Sequence, residues 1–95
     1  MAKPVYVLTF PADPVVKRPK ATQRAFTSPS KAFIVGRSQI EKHWPESTIE
    51  NADGATEKLR AYAISHLALW DEVTFYGIQR DAMVDNFTIH RLIVE

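Results

Sequence analysis

Cysteine is absent from this chain. Without it there is no disulfide framework, no thiolate zinc site and no cysteine nucleophile. Long hydrophobic runs are missing too. No apolar stretch approaches the roughly 20 residues that a membrane-spanning helix needs. Lys3 and Pro4 are followed by only a short apolar run, not by the core of a signal peptide. No HxH or HExxH spacing links His43, His66 and His90, so no metal site is expected. No carboxylate pair is fixed by spacing for glycoside hydrolysis, and no cofactor is expected. Internal repeats and low-complexity tracts are also missing. These absences point to a cytoplasmic protein. Its 95 residues, 45% of them hydrophobic, suffice for a single domain, residues 1–95, around one modest core.

Acidic residues are missing from one stretch. Between Pro14 and Ile40 there are six bases (Lys17, Arg18, Lys20, Arg24, Lys31 and Arg37) and no acid. From Glu41 onward ten acids face five bases, a net of −5. The overall charge of +1 therefore conceals a basic first part and an acidic remainder. Such a division steers partners more than the sum does.

Secondary-structure signals are clear in places. Val5 to Phe10 reads as a strand closed by Pro11 and Pro14. Ala21 to Thr27 reads as a second strand paired with it, Phe26 facing inward, and Val15 to Lys20 as the basic connector between them. Ser28 and Pro29 form a helix start, and Phe33, Gly36, Ile40 and Trp44 share one face before Pro45 ends the helix. Thr48 to Glu50 is a candidate short strand. Asp53 to Trp70 predicts the longest helix, with Asp53 as N-cap, Glu57 in the first turn, and Leu59, Ala63, His66, Leu67 and Trp70 on one buried face. Glu72 to Gln79 and Asn86 to Val94 are the two plainest strands, joined by Arg80 to Asp85, which is longer than a tight turn. The expected fold is α+β: a two-layer sandwich of three to four antiparallel strands with two helices on it, in the order β-(β)-α-α-β-β. Both end strands are apolar on both faces, and the long helix carries little charge on its back. Both features point to a covering layer or a homodimer.

Function is written less plainly. The six bases from Lys17 to Arg37 alternate with Phe26 and Phe33. Cations neutralise phosphates and adjacent rings can stack bases, so RNA or single-stranded DNA is one expected partner. An acidic protein surface is the other, since the same charges would steer it. Trp44, at a helix end beside Pro45, is a candidate interface anchor. His66 reads as a core histidine and His43 as a favourable charge at a helix end.

The sequence of elements at this length resembles, in element order and size, the bacterial ribosome-dependent messenger-RNA toxin fold. That resemblance implies a small ribonuclease with His90 and Arg91 on a late strand, joined by a Lys or Arg of the basic stretch. Strong basicity throughout is usual in that family, and the acidic half here departs from it. The leading expectation is a small non-enzymatic binding protein of adaptor or inhibitor type, as encoded by phages and other mobile elements. It docks on a macromolecular partner through the basic segment. A nucleic-acid-binding module and a toxin-type ribonuclease are the alternatives.

Overall fold

In the computed structural model, which describes residues 3–94, the last strand of the chain lies at the centre of the sheet. The elements are β1 (Lys3–Phe10), β2 (Thr22–Phe26), α1 (Pro29–His43), β3 (Thr48–Asn51), α2 (Leu59–Leu69), β4 (Glu72–Gln79) and β5 (Ala82–Val94), with a short 3-10 turn at Pro14–Val16. They form one antiparallel five-stranded sheet in the order β2-β1-β5-β4-β3. Both helices pack on one face. The α+β sandwich class is as expected, but two finer points are corrected. There are five strands, not three to four, and the chain order is β-β-α-β-α-β-β. The short stretch after Pro45 is a true edge strand, running from Thr48↔Ile78 to Asn51↔Phe75 against β4, and it separates the helices.

Local chemistry explains the boundaries. Ser28 Oγ accepts the N–H of Lys31 at 3.3 Å and Pro29 occupies the first helical position, so α1 starts where its cap residues dictate. It stops at Trp44, the residue before Pro45. The second helix starts later than its sequence suggests. Asn51, buried at the end of β3, accepts the N–H groups of Asp53 (2.9 Å) and Ala55 (3.0 Å) through its side-chain oxygen. Asp53 and Gly54 are therefore held in a turn, with Gly54 at φ +82°, and Asp53 does not cap a helix. The helix begins at Leu59 from Lys58, a left-handed residue with no side-chain cap, and Glu57 lies outside its first turn.

The connection between the last two strands is also shorter than expected. Arg80 and Asp81 alone make the loop, at φ +54° and +62°, and strand pairing resumes at Gln79↔Ala82. Two consecutive left-handed residues are what a two-residue hairpin of right-handed twist needs, although Asn-Gly usually supplies them. A one-residue bulge follows. Gly77 pairs with Asp85 and Ile78 with Met83, leaving Val84 unmatched. Asp85 keeps the alternation of Phe87 and Ile89 and so lies on the helix-covered face.

Under the helices lies a cluster of phenylalanines. Phe33 meets Phe75 edge-on at 4.8 Å between centroids, Phe75 lies 5.4 Å from Phe87, and Phe87 lies 5.6 Å from Phe10. Leu8, Phe26, Ile40, Ile49, Ala63, Leu67 and Ile89 complete the core. Two glycines permit this spacing. A Cβ on Gly36 would lie 2.7 Å from the Phe87 ring, and one on Gly77 would lie 2.8 Å from Ile40 Cγ2. Among the described residues nothing covers the opposite face of the sheet: Val5, Val7, Thr74, Tyr76 and Ile78 are only partly buried and Leu92 is exposed. Gly36→Ala is expected to destabilise the fold by about 1 kcal/mol or more in urea denaturation. Overpacking against a ring that cannot retreat outweighs the gain in helix propensity. Unchanged or raised stability would mean that α1 lifts off β5 at little cost.

Candidate functional site

The helix-to-sheet contact leaves a cleft of about 320 Å³ between α1 and the sheet edge formed by β2. Its floor is apolar, from Leu8 and Phe10 of β1. One wall is a helical stripe at four-residue spacing, Val35, Gln39 and His43. The other wall is Thr22, Gln23 and Arg24, three consecutive residues of β2. Thr22 and Arg24 are the partners of Phe10 and Leu8 and share their covered face, with Gln23 between them. Arg18 closes one end. No acid lines the cleft.

The six bases singled out from sequence divide into two groups. Three lean on phenyl rings. Arg18 lies 4.6 Å from the Phe10 centroid, Arg24 5.2 Å from Phe26 and Arg37 5.4 Å from Phe33. The alternation of Arg and Phe is thus a packing device, cations lying over core rings. Phe26 and Phe33 are buried, so neither ring is open to stack a base. Arg18 goes further. Its guanidinium forks onto the Asp85 carboxylate at 2.9 and 3.3 Å and reaches the Pro11 carbonyl at 2.8 Å. Asp85 is only 3% exposed. The pair pins the basic connector to the sheet and is structural. Arg37 is 3.7 Å from Glu41 along α1, an exposed pair of small worth. Lys17, Lys20 and Lys31 are exposed and make no ion pair among the described residues. Lys20 lies just before β2, and Lys31 is one turn before Val35 on the cleft stripe. Arg24 and His43 line the cleft itself.

Other sequence candidates fall elsewhere. Trp44 packs against the core and is partly buried. The exposed indole is Trp70, at 62%, beside Leu69 at 77%. Sequence periodicity put Trp70 on the buried helix face, but α2 has ended by then. Arg91 N–H meets the Asp71 carbonyl at 2.6 Å, continuing the β4–β5 register and bringing Trp70 level with Leu92. Leu92 and Ile93, on opposite faces of β5, are also more than half exposed, so this end of the sheet carries exposed apolar side chains that periodicity alone hides. His66 is sandwiched between Tyr62 (5.2 Å) and Trp70 (6.2 Å) at the rim of the core. Beneath it a hollow of about 190 Å³ is lined by Tyr62, Glu72 and Tyr76, among others.

His90 and Arg91 do not share a site. His90 is on the bare face, its Nδ1 3.3 Å from Glu72. Arg91 is on the helix face, donating to the Leu67 carbonyl at 2.8 Å and to Asp71 at 3.1 Å, where its charge suits the C-terminus of α2. Among the described residues no group of three or more His, Asp or Glu is placed to hold a metal ion. No described helix is long and apolar enough to cross a membrane.

Arg18→Ala is expected to cost about 3 kcal/mol in chemical denaturation, because it strands the buried Asp85 charge. Lys20→Ala should stay within about 0.5 kcal/mol of wild type. Equal, small effects would show that the Arg18–Asp85 fork holds nothing in place. No protein-family model, curated protein or solved structure matches this chain, which leaves the chemistry of the cleft as the ground for reading its function.

Proposed function

We infer that this is a small non-enzymatic binding protein, of adaptor or inhibitor type, that docks on an acidic macromolecular partner through the β2–α1 edge. The observation that carries the reading is the sorting of charge by position. Arg18, Arg24 and His43 line one cleft with no acid among its residues, and Lys17, Lys20 and Lys31 of the same stretch are exposed and form no ion pair among the described residues. Glu50, Asp53, Glu57 and Glu72 lie at the opposite, β3–β4 end of the sheet order. A partner of negative potential is drawn to one end and repelled from the other, which fixes orientation as well as rate. Nucleic acid is the weaker reading. Its phosphates would meet the same lysines, but the rings that would stack its bases are used internally. Self-association into a homodimer belongs to the same proposal, supported by the exposed Leu69, Trp70, Leu92 and Ile93.

Two outcomes test these statements. Fluorescence anisotropy with labelled polyglutamate and labelled single-stranded RNA should show the acidic polypeptide binding at low salt. Binding should weaken toward physiological salt and fall at least about tenfold in a Lys17→Glu, Lys20→Glu, Lys31→Glu variant. RNA binding without polyglutamate binding would transfer the site to nucleic acid. In analytical ultracentrifugation the wild type should be dimeric and Trp70→Glu combined with Leu92→Glu monomeric. A wild type that is monomeric at every concentration removes the dimer.

A further inference from the structure

We propose that the β2 edge and its cleft form a groove that takes an extended acidic peptide as a sixth strand, so that the partner is held by backbone pairing as well as by charge. The proposal rests on the docking role of this edge and names its mode. Three observations carry it.

The first is the free edge. β2 pairs only with β1, through Tyr6↔Phe26 to Phe10↔Thr22, and it is the outermost strand. Every second residue of an antiparallel edge strand turns its N–H and C=O outward. β2 contains no proline and no bulge that would blunt the edge. The second is the position of the cleft against that strand: Thr22 and Arg24, the partners of Phe10 and Leu8, share their helix-covered face and line it. The third is the charge of the cleft: Arg18, Arg24 and His43 line it together with Val35 and Gln39, and no acid does. A sixth strand laid along β2 would set its helix-side side chains beside Thr22 and Arg24. Lys20 precedes β2 in the chain, and Lys31 precedes Val35 by one turn of α1.

Strand addition gives affinity through main-chain bonds and selectivity through alternate side chains. The cleft walls set that selectivity. They are basic with no acid among the lining residues, so carboxylates at cleft-facing positions complement them, and Lys or Arg there would be repelled. The occupant is thus a segment of about five extended residues, the length of β2, alternating carboxylate and β-branched apolar side chains.

Backbone chemistry of the probe tests this without altering the protein. The probe is a fluorescein-labelled heptapeptide alternating valine and glutamate, capped at the C-terminus. Two further versions carry N-methyl groups on its odd or its even amides. Strand pairing uses one set only. One methylated peptide should therefore lose at least about tenfold in affinity by anisotropy while the other keeps the parent value. Isotope-edited infrared spectra of the labelled complex should show added antiparallel strand. Arg24→Glu should weaken the parent peptide by a similar factor, and a lysine-for-glutamate peptide should not bind. If the parent peptide binds and both methylated versions bind equally well, the acidic docking reading stands and strand addition is overturned. If neither the peptide nor polyglutamate binds, both are overturned.

Discussion

Everything in this fold depends on how near α1 comes to the central strand. Gly36 has no side chain, so the helix settles directly onto Phe87, and Gly77 lets Ile40 descend onto β4 in the same way. At that distance Phe33 reaches Phe75 and Phe87. Buried aromatic area of this kind dominates the stability of a small core. The same approach sets the height of α1 over the sheet, and with it the separation of Val35, Gln39 and His43 from β2 across the cleft. The shape of the candidate site is thus a by-product of core packing two strands away.

The basic connector has two roles, divided by geometry. Arg18 is spent inward on Asp85, which shares the covered face of β5 with Phe87 and Ile89. The lysines on either side of it are left outward. One ion pair anchors the segment and its neighbours present charge. A buried fork can hold a loop that lacks a hydrophobic anchor of its own, and here the 3-10 turn from Pro14 to Val16 has no buried residue.

Much of this architecture was legible in the residues. β1, the β1–β2 pairing, the Ser28–Pro29 start, the Trp44–Pro45 stop and the inward Phe26 all follow from strong local signals that the fold does not contradict. What was hidden depended on long-range partners. Asp53 and Gly54 look like a helix start, but their amides are claimed by Asn51, a residue whose burial only β3 pairing reveals. The Arg80–Asp81 hairpin lacks the usual turn residues and is held by the strands on either side. Arg18 and Arg24 read as free cations because Asp85 is 67 residues away from one and the Phe26 face turns only when β2 pairs. The cleft needed both the placement of α1 over β1 and the edge position of β2, and neither has a linear signature. The shared face expected for the terminal strands was apolar in sequence, yet no element of this chain covers it.

The sheet order has a consequence for how the molecule comes into being. β1 and β2 form one hairpin early in the chain, and β3 and β4 form a second pairing around α2. No hydrogen bond of the sheet joins these two groups except through β5, which pairs with β1 over Lys3↔Val94 to Thr9↔Thr88 and with β4 along its whole length. Leu8, Phe10 and Phe75 are fully covered only when β5 stands between the two groups. Pairing of β1 with β5 joins residues more than 75 positions apart, and contacts between such distant parts of a sequence are slow to form. Closure of the sheet thus hangs on its least local pairing.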